Sequence, residues 1–138
     1  MPGFKFQHDF KSIVFLELED VDFFHSVILE AGEPDGYNRL DDLLGAVGRP
    51  KTNACYEDGT DLVRVAAYYW HGISTSHGYR QGNKRTAFVS AVNFLLMNGV
   101  QFEVPDKELG PWIERLFIEN TVSVEILENT LRRHAMWL

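Results

Sequence analysis

One stretch holds the side chains best suited to chemistry: His77-Gly78-Tyr79-Arg80-Gln81-Gly82-Asn83-Lys84-Arg85-Thr86-Ala87. His77 is the one side chain there able to exchange a proton near neutral pH. Gly78 and Gly82 let the backbone turn tightly and approach another group closely. A helix must begin near Gly82 or Asn83. Its first N–H groups, at Asn83 to Thr86, have no intrahelical partner and carry partial positive charge. Lys84 and Arg85 add two full charges at the same point. Such a helix start suits an anion, most often phosphate.

Two apolar helices must hold this loop. Leu62, Val65, Ala66, Tyr69 and Ile73 recur with the helix period before it, and Phe88, Ala91, Val92, Leu95 and Leu96 after it. The charges agree with an anion site. The chain has 20 acidic residues, yet none between Leu62 and Phe102. An even spread would put roughly six there. Arg64, Arg80, Lys84 and Arg85 are the cations of that interval.

The stretch resembles the Fic/Doc motif: His, an aromatic, an acidic residue, Gly or Ala, Asn, Gly or Lys, then Arg. Asn83 to Ala87 looks like the Doc (death-on-curing) toxin branch rather than the AMP-transferring Fic branch. Thr60-Asp61-Leu62, Asn98-Gly99-Val100-Gln101 and Thr130-Leu131-Arg132-Arg133 also resemble Doc, so the likeness runs from about Val21 onward. The resemblance implies a compact helical bundle. It implies a toxin that transfers phosphate from ATP to a hydroxyl of a protein, with a translation elongation factor (Tu) as the target class. AMP transfer is the close variant. His77 would be the general base. Gly82 would clear space for phosphate, Asn83 would help hold its oxygens, and Lys84 and Arg85 would neutralise its charge. Arg80 is a further candidate for ligand contact. Tyr79 would anchor the loop in the core. An antitoxin helix, seated in an apolar groove, is the implied partner.

The main departure is Gln81, where the family carries Asp or Glu as the protein ligand for magnesium. A neutral amide is a weaker ligand for that ion. Magnesium could then arrive on the nucleotide, a distant acid such as Glu57 or Asp58 could fold in, or the protein could bind nucleotide or a partner without transferring anything. Gly78 stands where Fic proteins favour proline. Phe88 stands in place of a second arginine, which weighs against AMP transfer. Thr75 stands where a Doc toxin carries arginine. Thr121 and Glu125 approach a self-inhibitory pattern of Fic proteins, but Ile126 departs from it and no such role is assigned.

The rest of the chain reads as one all-α domain over residues 1–138, with little sheet. Residues 1–18 form an arm, with a possible short strand over Ser12 to Leu18. A helix is expected from about Glu19, with Val21, Phe24 and Ile28 on one face, ended by Gly32 and Pro34. Another opens at Asn38 or Arg39, carries Leu40, Leu43, Leu44 and Val47, and closes at Gly48 and Pro50, before a polar loop over Lys51 to Gly59. Thr60 is the expected N-cap of the third helix. Asn98-Gly99 should end the helix after the motif, and Val100 to Val104 should be extended. Pro105-Asp106 and Pro111 could each open a helical stretch, the latter with Trp112, Leu116 and Phe117. Ser123 should cap a last helix with Val124, Leu127 and Leu131 inward.

A net charge of −7 disfavours a nucleic-acid partner. No apolar run is long enough to cross a membrane and no signal pattern is present, so a cytoplasmic protein is expected. Cys55, the one cysteine, reads as a small apolar filler. His8, His25 and His71 share no metal-ligand spacing. Tyr68, Tyr69 and Trp70 read as core with one ring outside.

Overall fold

The computed structural model describes residues 6–103 and 122–138, together with Pro111 and Glu114. Five α-helices are found among these residues: α1 (Leu18–Ile28), α2 (Leu40–Tyr56), α3 (Leu62–Thr75), α4 (Asn83–Met97) and α5 (Val124–His134). Strands β1 (Val100–Phe102) and β2 (Ala135–Trp137) form a small antiparallel sheet, with Gln101 opposite Met136. The architecture is the expected helical bundle. No helix among the described residues is long and apolar enough to cross a membrane.

α3 is the axis of the bundle. Leu62, Val63, Val65, Ala66, Ala67, Tyr69, Trp70 and Ile73 are all buried. Only the side chains of a narrow stripe, Arg64, Tyr68, His71 and Thr75, reach the surface; a helix with so wide an apolar face belongs inside, and α2, α4 and α5 pack around it. Tyr69 and Trp70 lie in the core, while Tyr68 is partly exposed and donates to Glu57. α4 buries Ala87, Ala91, Phe94 and Leu95, whereas Leu96 faces solvent. The buried stripe is therefore turned from the expected one. α2 likewise buries Leu43, Ala46 and Val47 and leaves Leu40 and Leu44 outside. α5 buries Leu127 and Leu131, as expected.

Several boundaries differ from the sequence reading. No strand forms over Ser12 to Leu18. A single 3-10 turn covers Phe10–Ser12, and the extended chain after it finds side-chain partners instead of a sheet. The Asn98 amide takes both polar groups of Val14, and the Tyr69 hydroxyl accepts from Leu16 N. α1 stops at Ile28, before Gly32. α2 runs through Gly48 and Pro50 to Tyr56, so most of the expected polar loop is helix. Pro50 is buried, and packing there outweighs the backbone bond a proline removes. Close approach explains part of that packing: a Cβ on Gly72 of α3 would lie 3.3 Å from Ala46 Cβ. Cys55 is exposed and is not core filler.

The cap of α3 is Asp61, not Thr60. Its carboxylate accepts from Arg64 N at 3.0 Å, while Thr60 donates to Glu57. Asp61 is also buried, and Arg132 of α5 grips it at 2.7 and 2.9 Å. One carboxylate thus ties the start of α3 to the last helix. Ser123 caps α5 by accepting from Ile126 N, as expected. Gly99, at φ 85°, ends α4 as expected. The stretches proposed to open at Pro105 and Pro111 lie outside the described residues, apart from Pro111 and Glu114, which are helical. Thr121 also lies outside them.

Candidate active site

The loop from Ser76 to Gly82 joins the end of α3 to the start of α4. His77 is exposed at its apex, with φ at 54°. A side chain in this left-handed region costs roughly 1–2 kcal/mol, and such strain persists only where surrounding contacts over-determine it. Those contacts are present. The Ser76 hydroxyl accepts from Gly78 N at 3.1 Å. The Gly78 carbonyl accepts from Asn38 N at 2.7 Å and Arg39 N at 3.1 Å. Asn38 Nδ2 donates to the His77 carbonyl at 3.0 Å, and Arg80 N donates to the Gly36 carbonyl at 3.0 Å. The segment entering α2 is thereby laced to the motif loop.

Gly78 is needed for this closeness. A Cβ there would stand 2.5 Å from Leu43 Cβ. Tyr79 anchors the loop from inside, as expected. Its ring is buried and stacked on His25 at 3.8 Å, and its hydroxyl donates to Asp22 at 2.6 Å. Burial first, then the bond to Asp22, pushes that hydroxyl well above the usual tyrosine range. Tyr37 donates to the other Asp22 oxygen at 2.5 Å, which raises its own hydroxyl to about 12.

Gly82 is the N-cap of α4 at φ 85°, so the helix begins where the sequence places it. Asn83 spends its amide on the loop: Oδ1 accepts from Tyr79 N and Nδ2 donates to the Tyr79 carbonyl, both at 2.9 Å. Lys84 is exposed on the first turn of α4. Gly82, Asn83, Lys84 and Arg85 thus stand together at one helix start, five residues and more along the chain from His77. The Arg80 side chain turns toward the neighbouring loop, with Nη1 3.4 Å from the Asp35 carbonyl.

Arg85 is engaged by an acid that sequence reasoning missed. Glu33 takes it in two parallel bonds, at 2.7 and 3.0 Å, and Glu30 lies 3.7 Å away. Glu33 also accepts from Glu30 N at 2.8 Å and from the Gln81 side chain. The bond from Arg85, followed by the Glu30 N–H, lowers the Glu33 carboxyl to about 2. The interval without acids in the sequence is therefore supplied with one in space. Glu57 and Asp58 do not fill this role. Glu57 is held by Thr60, Arg64 and Tyr68 at the opposite end of α3, roughly 20 Å of helix from the loop. His25, Asp22 and Asn38 were missed as well. Nothing local marks them, since each meets the loop across 39 to 57 positions of chain.

The donors at this loop do not fit magnesium, which favours ionised oxygen ligands. Gln81 offers a neutral amide that already serves Glu33, and Glu33 is neutralised by a guanidinium. Among the described residues, no group of three His, Cys, Asp or Glu side chains could hold a metal ion.

Comparison with known proteins agrees with the motif. The model of the Fic/DOC family matches residues 15–95. The chain is similar to the protein kinase doc of Escherichia phage P1, with 36% identity over 91 residues, spanning 63% of this chain and 68% of that protein.

Proposed function

We propose that this chain, which belongs to the Fic/DOC family and to its Doc branch, is a Doc-like toxin that transfers the terminal phosphate of ATP to a hydroxyl of a protein. One observation carries the reading. The one side chain of the loop able to exchange a proton near neutral pH is held exposed, in a strained conformation, in the same short loop that leads into a helix start bearing a cation. Strain of this kind clusters at working sites.

In this reading His77 takes the proton of the incoming hydroxyl as its oxygen attacks the terminal phosphorus. The new oxygen–phosphorus bond forms, the bond to the bridging oxygen breaks, and ADP leaves with that electron pair. The N–H groups at the start of α4 and the Lys84 ammonium meet the phosphate charge, the main help a protein gives this reaction. Gly82 contributes through its backbone, because a side chain there would meet Ile28 Cδ1 at 3.1 Å rather than ligand. Arg85 joins once it exchanges Glu33 for a phosphate. Asn83 acts by holding Tyr79, and Arg80 would have to leave the Asp35 carbonyl to meet the ligand. Any magnesium would come with the nucleotide, held by phosphates and water, because Gln81 is a poor ligand. The target class is a translation elongation factor (Tu), the restraining partner is an antitoxin helix, and the compartment is the cytoplasm. The net charge of −7 argues against a nucleic-acid partner.

A second reading is favoured by the Glu33–Arg85 pair and by Gln81: a protein that binds nucleotide or a partner and transfers nothing. AMP transfer is weakened by Phe88. The test uses ATP labelled at the γ- or the α-phosphate, added with magnesium to protein and bacterial lysate, beside His77→Ala. Label from the γ position alone, lost in His77→Ala, supports the kinase. Label from the α position replaces it with AMP transfer. Transfer from neither, restored by Gln81→Asp, establishes the second reading.

A further inference from the structure

α1 touches the motif loop at points that the steps above do not use. His25, near the end of α1, is buried, and its Nε2 lies 2.8 Å from the Gln81 carbonyl oxygen. A carbonyl only accepts, so Nε2 carries the proton. The same ring lies flat on Tyr79, with centroids 3.8 Å apart and planes 5° from parallel. Asp22, one turn earlier, receives the Tyr79 hydroxyl. The first half of the loop is secured by residues 36–39. The second half leans on α1.

The bond to Gln81 has a directional consequence. The Gln81–Gly82 peptide is planar and trans, so its C=O and N–H point opposite ways. Holding the carbonyl on His25 turns the Gly82 N–H away from α1. Gly82 sits at a positive φ, and a glycine takes left- and right-handed backbone about equally, so its own chemistry does not fix its direction. His25 supplies the missing constraint at the residue where the loop becomes helix.

We propose that His25 is a positioning residue for the transfer site. It acts through the Gln81–Gly82 peptide to set how α4 begins, and so where Lys84 and the first N–H groups of α4 stand relative to His77. The nucleoside triphosphate is the ligand whose phosphates this placement serves. The inference rests on the transfer reading given above.

Two variants of the full chain separate positioning from simple packing. His25→Phe keeps a ring against Tyr79 and removes the donor. His25→Gln keeps a donor and removes the ring. ATP affinity is measured by calorimetry with and without magnesium, and the Gly82 amide is followed by nuclear magnetic resonance. His25→Phe should bind ATP about fivefold to tenfold more weakly and move the Gly82 amide signal. His25→Gln should recover most of the affinity and return that signal toward its wild-type position. The reverse order, with Phe unchanged and Gln impaired, makes His25 a packing ring and overturns the proposal. If His25→Phe does not fold, His25→Gln decides alone: a wild-type Gly82 signal and affinity support positioning, and a displaced signal with weak binding refutes it. Wild-type protein that binds no ATP removes the transfer reading, and this inference with it. Equal binding by wild type and His25→Phe removes this inference only.

Discussion

Adding one methyl group at Gly78 should separate the working loop from the helix that supports it. The new Cβ would stand 2.5 Å from Leu43 Cβ, 3.1 Å from Leu43 Cγ and 3.1 Å from Ser76 Oγ. Carbon atoms at rest sit about 3.5–4.0 Å apart, so something must move by about 1 Å. Leu43 is buried in α2 and does not yield readily. The loop must retreat, stretching the bonds from Asn38 and Arg39 to the Gly78 carbonyl and from Asn38 to the His77 carbonyl. Overpacking of this kind costs about 2 kcal/mol, a fall of about 7 °C in Tm for a chain of this length. Transfer should fall further than stability does, because the displaced segment carries His77. Trimming the partner should not help: Leu43→Ala keeps the Cβ that makes the shortest contact, so the double variant should be less stable than either single one. Gly78→Pro should be worse than Gly78→Ala, since it also removes the N–H that Ser76 accepts. Thermal melts and single-turnover transfer on Gly78→Ala check this. A Tm within about 2 °C of wild type, with full transfer, would refute the close seating of the loop on α2.

Glu33→Gln should loosen Arg85 from its main partner and raise ATP affinity, by up to about fivefold for a half-buried pair; calorimetry reads the change, and weaker binding would show that Glu33 helps rather than competes. The Glu33 carboxyl is lowered from 4.5 to about 2 in the fold, so its support is present above the unfolded value and lost as pH falls through about 2; a carboxyl titration followed by nuclear magnetic resonance should find that midpoint in wild type and lose the low value in Arg85→Ala. Asp61→Ala removes the cap of α3 and the buried partner of Arg132 together, and should cost about 3 kcal/mol in urea unfolding. Asn98→Ala removes two bonds to Val14 and one to Phe94; it should cost about 2 kcal/mol and speed hydrogen exchange at the Val14 amide, while leaving ATP binding unchanged.

The sequence by itself determined what is encoded within a turn or two of helix. The apolar period of α3 marks the buried axis, Gly82 and Asn83 mark the start of α4, Asn98-Gly99 marks its end, and Ser123 marks the start of α5. The motif residues His77 to Arg85 were legible because they are neighbours in the chain. Only the tertiary structure decided the rest. α2 passes through Pro50 because packing outweighs a local stop signal. Asp61 takes the cap in place of Thr60 because the same carboxylate also meets Arg132, 71 positions away. Glu33 reaches Arg85 across 52 positions, and His25 reaches Gln81 across 56. Local propensity acts over a few residues, whereas ion pairs, stacked rings and close backbone contacts depend on which surfaces the packed helices bring together. The loop and its histidine are a local matter. The acid that occupies its arginine and the ring that sets its exit are properties of the assembled fold.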